Sequence, residues 1–151
     1  MEKILISACL VGDNVKYNGG NNLIDHPLIR KWLSEDRLVR ICPETEGGLS
    51  TPRPPSEIRG GSVVNIEGED VTEEFAYGAK LALRKAEAMG IRYAILKQGS
   101  PSCGSRRIYD GTFSGTSTTG LDISASLLAS GGVLIFDETE IEELARFIDG
   151  K

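Results

Sequence analysis

Residues 94–105 read AILKQGSPSCGS and join an apolar strand to a polar loop that carries a thiol. The apolar run from Tyr93 to Leu96 is typical of a strand in a parallel sheet. Two glycines and a proline then prevent regular structure from continuing. Open α/β sheets bind their ligands at such strand ends, so we expect Cys103 to lie in a functional site.

Apolar runs and helical patterns alternate along the rest of the chain. Strands are predicted at Lys3–Ala8, Leu38–Ile41, Arg92–Leu96 and Val133–Phe136, with a weaker candidate at Val63–Ile66. Helices are predicted to begin near His26, Asp70, Leu121 and Asp137, with Asp25, Asp70 and Asp137 as N-terminal caps. Four prolines between Pro43 and Pro55 predict a long structured loop. The alternation predicts one Rossmann-like α/β domain over residues 1–151, with a mainly parallel sheet and helices on both faces.

The composition is that of an ordinary globular protein. The 151 residues are 40% hydrophobic and 26% charged, and the formal net charge is −5. An acidic balance disfavours broad binding to nucleic-acid backbone. No apolar run approaches the roughly 20 residues that span a bilayer, and we therefore expect a cytoplasmic protein.

The three cysteines are widely spaced and do not suggest a disulfide framework, which needs pairs. Cys9, Cys42 and Cys103 each follow a predicted strand. The carboxyl ends of parallel strands meet at one edge of a sheet, so the three thiols can converge there. The alternative is that all three are inert buried residues, as free cysteines often are. Their equivalent positions in Gly- and Pro-bounded loops favour a shared site.

Three thiolates suit two kinds of metal site. One is zinc with His26 as the fourth ligand, and the other is a cubane iron–sulfur cluster with one iron left open. Scattered ligands are atypical of small zinc modules, and His26 beside Pro27 is typical of a helix start, which favours the cluster. A cysteine nucleophile is a further alternative, although a single histidine is present to act as its base. A zinc- or nucleotide-binding regulatory module is the remaining hypothesis.

Polar residues beside the cysteines are candidates for the site. Glu44 and Glu46 follow Cys42, and Ser100 and Ser102 precede Cys103. Beside a metal, such groups can orient water or transfer protons. The basic side chains of Arg53 and Lys97 could serve an anionic or heterocyclic ligand.

A set of short motifs, taken in order, resembles the bacterial thiouracil desulfidase family over nearly the whole chain. The motifs are Ser7-Ala8-Cys9-Leu10-Val11-Gly12, Tyr17-Asn18-Gly19, Cys42-Pro43-Glu44, Gly47-Gly48-Leu49, Pro52-Arg53-Pro54-Pro55, Ser100-Pro101-Ser102-Cys103-Gly104 and Ile108-Tyr109-Asp110-Gly111-Thr112-Phe113-Ser114-Gly115.

The resemblance implies a 4Fe–4S cluster held by Cys9, Cys42 and Cys103, which air would destroy because one iron is open. It implies that Glu44 handles protons and activates water, and that Ser100 positions substrate or water. Ser102, Arg53 and Lys97 are expected to bind substrate. The implied activity is non-redox removal of sulfur from a thiolated nucleobase such as thiouracil, with the open iron accepting the sulfur. The implied partner is a small thiolated base, and neither a membrane nor tRNA is expected.

Overall fold

The computed structural model describes residues 2–15, 18–54, 56–59, 62–97, 107–109, 117–119 and 123–149. The strands are β1 (Ile4–Ser7), β2 (Leu38–Ile41), β3 (Ser56–Arg59), β4 (Ser62–Asn65), β5 (Tyr93–Leu96), β6 (Arg107–Tyr109), β7 (Ser117–Thr119) and β8 (Leu134–Asp137). The helices are α1 (Pro27–Ser34), α2 (Pro43–Glu46), α3 (Thr72–Met89), α4 (Ile123–Ser130) and α5 (Ile141–Asp149). Among the described residues, no helix has both the length and the apolar character needed to cross a membrane.

Four strands form a parallel sheet in the order β2-β1-β5-β8. β2 lies on one side of β1, and β5 and then β8 lie on the other. The carboxyl ends of β1 and β5 are therefore neighbours at the centre of one edge of the sheet. Two antiparallel hairpins, β3-β4 and β6-β7, stand apart from this sheet. The predicted α/β class with a mainly parallel sheet is confirmed.

Helices cover both faces of the sheet because successive strand side chains point to opposite sides. On one face, Leu5 and Ala94 pack with Ala82 and Ala86 of α3 and with Leu128 of α4. The other face buries residues of β1, β5 and β8 against α1 and α5; its members include Ile4, Ile6, Ile95, Phe136, Ile29, Trp32, Ile141 and Leu144. The two-sided burial explains why the strands read as continuous apolar runs.

Three local predictions were wrong. Asp70 is predicted to cap α3, but the N-cap is Val71, and Asp70 Oδ1 instead accepts a 2.9 Å hydrogen bond from the Thr72 N–H at the start of the helix. The segment after Cys42 contains a helical turn, α2, where four nearby prolines predicted only loop. Pro43 occupies its first position, where a missing backbone N–H leaves no hydrogen bond unmade. At α1 the N-cap is His26 rather than Asp25, because the ring Nδ1 accepts a 3.1 Å hydrogen bond from the Leu28 N–H.

The turn α2 lies directly against α3 through two glycines. A Cβ atom at Gly78 would stand 1.8 Å from the Pro43 carbonyl oxygen, and one at Gly47 would stand 2.0 Å from the Glu74 carbonyl oxygen. Both distances are far inside van der Waals contact, so these positions exclude any side chain. The close packing fixes α2, and with it the strand end that carries Cys42.

Candidate metal centre and active site

Two thiols follow neighbouring strands of the sheet. Cys9 lies in a 3₁₀ turn, Ala8–Val11, that begins where β1 ends. Cys42 directly follows β2 and is the N-cap of α2. The two strands pair in parallel with Ser7 opposite Ile41, so both cysteines leave the sheet at the same edge. The predicted convergence is therefore present for this pair.

The Cys9 side chain is partly buried and packs against the apolar core that α1 and α5 cover. Burial raises the pKa of the Cys9 thiol above its ordinary value. The Nδ2 of Asn22 lies 3.4 Å from Sγ and donates a hydrogen bond that acts in the opposite direction. The charge of Cys42 raises the same pKa further, which places the two sulfur-bearing side chains within electrostatic reach of each other.

The backbone of Cys42 is held by a carboxylate from its own helical turn. The Cys42 N–H donates a 2.7 Å hydrogen bond to Oε2 of Glu46. The other oxygen, Oε1, lies 3.5 Å from Nζ of Lys85 on α3. Glu46 thus joins the strand end to the helix that packs behind it.

Glu44 lies two residues after Cys42 and is paired with an arginine. Nε of Arg53 donates a 3.1 Å hydrogen bond to Oε1 of Glu44. Both side chains are largely buried, at 5% exposed for Arg53 and 15% for Glu44. The Arg53 contact therefore holds the Glu44 carboxylate in a largely buried position on the helical turn that begins at Cys42.

A second ion pair lies on the other side of Cys9. Lys97 directly follows β5, and its Nζ lies 2.9 Å from Oε2 of Glu138, which directly follows β8. The Lys97 N–H donates a 3.0 Å hydrogen bond to the buried hydroxyl of Ser7. Both charges act on the pKa of the Cys9 thiol, which Lys97 lowers and Glu138 raises. All four parallel strands therefore contribute a polar residue to this edge.

A family model for 2-thiouracil desulfurase matches residues 4–140, which include both described thiols and both ion pairs. This chain belongs to the 2-thiouracil desulfurase family. A solved structure, the 4Fe–4S-dependent thiouracil desulfidase TudS, is similar over 100% of both chains, with 46% sequence identity and a TM-score of 0.98. The uncharacterized protein YbbK of Bacillus subtilis (strain 168) is 42% identical over 93% of this chain and 99% of its own length. The family and the fold inferred from the sequence motifs are confirmed.

Three of the predicted site residues of this 2-thiouracil desulfurase family member, Ser100, Ser102 and Cys103, lie outside the described residues. The described segment 62–97 ends one residue after β5, and Cys103 follows six positions later in the sequence. Within the described ranges, no group of three His, Cys, Asp or Glu side chains stands close enough to hold a metal ion.

The donor chemistry of the described part fits an iron–sulfur cluster. Cluster irons are held by cysteine thiolates, and hydrogen bonds to the sulfurs tune the centre. Cys9 and Cys42 offer two thiols at adjacent strand ends, and Asn22 donates an N–H to the Cys9 sulfur. The zinc alternative needs His26 as its fourth ligand. The Nδ1 of His26 accepts a hydrogen bond at the start of α1, and its Nε2 lies 3.8 Å from Oε1 of Glu142. The histidine is therefore engaged as a helix cap.

The sequence patterns did not single out Asn22, Lys85 or Glu138. Asn22 is separated from Cys9 by 13 positions of loop, and Lys85 from Glu46 by 39 positions. Glu138 could have been found by extending the strand-end rule to β8, because that strand also runs parallel within the sheet. The other two contacts depend on tertiary packing and leave no local signal.

Proposed function

We propose that this chain is an iron–sulfur-dependent desulfidase that replaces the sulfur of a thiolated nucleobase, such as thiouracil, by oxygen from water. Family membership and the full-length similarity to TudS support an enzyme that acts on thiouracil with a 4Fe–4S cluster. The structural observation that carries the proposal is the edge at which Cys9, Cys42 and Glu44 leave two adjacent parallel strands. One desulfidase-like domain spans residues 1–151.

The three cysteines at strand ends hold the cluster in this proposal. Cys9 and Cys42 provide two thiolates, and Cys103, which the family resemblance assigns, provides the third. When bound, the cluster supplies an open, sulfur-accepting Lewis-acidic iron, a soft partner for a thiocarbonyl sulfur. The raised pKa of the Cys9 thiol means that a proton must leave when this ligand is engaged.

Glu44 takes the proton-transfer role. Its carboxylate, held by Arg53, accepts a proton from the water that attacks the ring carbon. The water oxygen forms a carbon–oxygen bond, the carbon–sulfur bond breaks, and the sulfur leaves as sulfide. No electrons are gained or lost, because water plus thiouracil equals uracil plus hydrogen sulfide. Ser100 and Ser102 position the base and the water, and Lys97 binds the substrate.

The partner is a small thiolated base rather than a membrane or tRNA, and the compartment is the cytoplasm. The acidic net charge of −5 disfavours a polyanionic partner. Among the described residues at this edge, Arg53, Lys85 and Lys97 are each paired with a carboxylate.

Anaerobic reconstitution with iron and sulfide tests the proposal. The protein is divided into iron–sulfur-loaded, zinc-loaded and metal-free samples, and sulfide release from 2-thiouracil is measured in each. We expect a brown protein with visible absorption, and sulfide release from the iron–sulfur sample alone. Cys103→Ser should abolish release, and Glu44→Gln should lower it by about 100-fold or more, as loss of a general base does.

A colourless, iron-free protein after reconstitution would overturn the cluster assignment. Equal sulfide release from the zinc-loaded sample would favour a zinc site instead. Unchanged turnover in both variants would refute the roles given to Cys103 and Glu44. Lys80→Ala, an exposed change on α3, is the control for handling losses.

A further inference from the structure

The guanidinium of Arg53 donates four hydrogen bonds to the protein around it. Nε donates to Oε1 of Glu44 at 3.1 Å, and Nη2 donates to the Val15 carbonyl oxygen at 2.8 Å. Nη1 donates at 3.1 Å both to the Ser50 carbonyl oxygen and to the Thr51 hydroxyl. All three nitrogens of the side chain are therefore engaged with protein acceptors.

These four hydrogen bonds join three separate segments of the edge. Val15 belongs to the loop that follows the Cys9 turn, and it lies 38 positions from Arg53 in sequence. Glu44 belongs to α2, beside Cys42, and Ser50 and Thr51 lie in the loop after α2. One arginine thus ties the loop of the first thiol to the helical turn of the second.

The burial of the pair makes this contact specific. The Arg53 side chain is 5% exposed and that of Glu44 is 15% exposed. A buried ion pair whose arginine donates three further hydrogen bonds is held in one geometry, whereas an exposed pair between long side chains is not. The carboxylate of Glu44 is accordingly fixed in place before any substrate enters, and such positioning is a large part of catalysis.

We infer that Arg53 is a positioning residue for Glu44, whose carboxylate it holds in one place two residues after Cys42, and that it acts on the reaction through that carboxylate rather than by binding the base. This inference rests on the proposed function. Lysine cannot take the place of the arginine, because its single ammonium lacks the planar fork that reaches acceptors in several directions.

A double-mutant cycle with the reconstituted holoenzyme tests the inference. Arg53→Lys, Glu44→Gln and the double variant are assayed for sulfide release from 2-thiouracil, with enzyme in excess for the slow variants. We expect R53K to lower kcat by about 10- to 100-fold, the range typical of residues that orient a catalytic group. We expect KM to stay within a factor of about two, because the base is bound elsewhere.

The cycle separates action through Glu44 from an independent role. In the E44Q background, R53K should lower kcat by no more than a factor of about two, because the group that it positions is already lost. Arg92→Lys is the matched control: it conserves charge in an exposed pair with Glu2, where Nη2 lies 2.8 Å from Oε1, and kcat should be unchanged.

Three results would overturn the inference. The first is a raised KM with unchanged kcat in R53K, which would assign the arginine to substrate binding. The second is an R53K effect of the same size in the E44Q background as in the wild type. The third is loss of iron and visible absorption from both R53K and R53Q, which would show that the arginine is needed to keep the cluster bound.

Failure of the proposed function is distinguishable from failure of this inference. A wild-type protein that releases no sulfide contradicts the former, and the arginine contacts are then tested by amide hydrogen exchange. Faster exchange over residues 44–49 in R53K, with R92K unchanged, supports the positioning of Glu44. Unchanged exchange in that segment overturns it.

Discussion

The backbone N–H of Cys42 donates a 2.7 Å hydrogen bond to Oε2 of Glu46, four residues further along the chain. The Glu46 carboxylate also faces Lys85 of α3 at 3.5 Å. A proposed metal ligand is therefore held through its backbone by a residue that does not itself bind the metal. Outer partners of this kind fix ligand geometry and commonly matter nearly as much as the ligands.

Glu46→Ala should weaken both the fold and the metal site. A hydrogen bond to a charged acceptor contributes about 1.5–3 kcal/mol, so we expect the free energy of unfolding of the metal-free protein to fall by about that amount. Urea unfolding measures this loss, and iron content after gel filtration measures cluster retention. E46Q keeps an acceptor oxygen and should retain most of the iron; iron retention in E46A equal to that of the wild type would contradict the role.

Gly78→Ala should destabilise the protein although alanine is the better helix former by about 1 kcal/mol. The new Cβ would stand 1.8 Å from the Pro43 carbonyl oxygen, so α2 and α3 would have to separate. Overpacking of this kind costs about 1–3 kcal/mol, and the movement of α2 should also lower iron retention. Urea unfolding checks the sign, with Lys80→Ala on the exposed side of α3 as control. A stabilised G78A would show that α2 does not pack as described.

Asn22→Leu should lower the reduction potential of the bound cluster. The Nδ2 of Asn22 donates to the Cys9 sulfur at 3.4 Å, and hydrogen bonds to cluster sulfurs favour the reduced, more negative state. Protein-film voltammetry measures the potential independently of turnover. Asn14→Ala removes only a neighbouring exposed contact to Asn21, and it should leave the potential unchanged. Equal potentials in N22L and the wild type would show that Asn22 does not contact the bound ligand.

Asp70 gives the metal-free protein a pH-dependent contribution to stability. Hydrogen bonds from the Thr72 hydroxyl and from the Thr72 backbone N–H, the latter at 2.9 Å, lower the pKa of Asp70 below its ordinary value. Because the folded pKa is the lower one, the contribution is present above the unfolded pKa of about 4 and is lost as pH falls through the folded value. The stability difference between the wild type and D70N should therefore stay constant from pH 7 down to about pH 5 and shrink as the pH falls below about 4, as followed by urea unfolding at successive pH values.

Glu67→Gln is the control for that series, because its carboxylate lies exposed in the preceding turn. A wild-type to D70N difference that stays constant down to the acid limit would show that the contact between the Asp70 charge and Thr72 does not stabilise the fold.

The elements that sequence patterns predicted well are those with strong local signals. The strand Leu38–Ile41 was predicted with its observed bounds, and α3 ends at Met89 before Gly90 as expected. At the last helix, the predicted pairing of Asp137 and Glu140 is present, since the Asp137 N–H donates to Oε1 of Glu140 at 3.0 Å. Helix caps and apolar strands depend on residues that are close together in the chain, so sequence patterns can predict them.

The remaining features depend on partners far away in the chain. α2 forms among prolines because Gly47 and Gly78 let it pack closely on α3, which no local pattern shows. His26 caps α1 with its ring, although Asp25 is the commoner capping residue. The strand-end rule placed Cys9 and Cys42 at one edge of the sheet, as observed, because the sheet topology fixes that edge. The contacts of Asn22 with Cys9 and of Lys85 with Glu46 join distant segments.

Turnover of 2-thiouracil in water labelled with heavy oxygen tests the central claim most directly. The reconstituted protein is incubated without oxidant or reductant, and uracil and sulfide are quantified together with the oxygen label in the uracil. We predict one sulfide for each uracil and one labelled oxygen at the former sulfur position, with neither product formed by the metal-free protein. Unlabelled uracil, sulfide in unequal amount, or the same yield without the cluster would contradict the account.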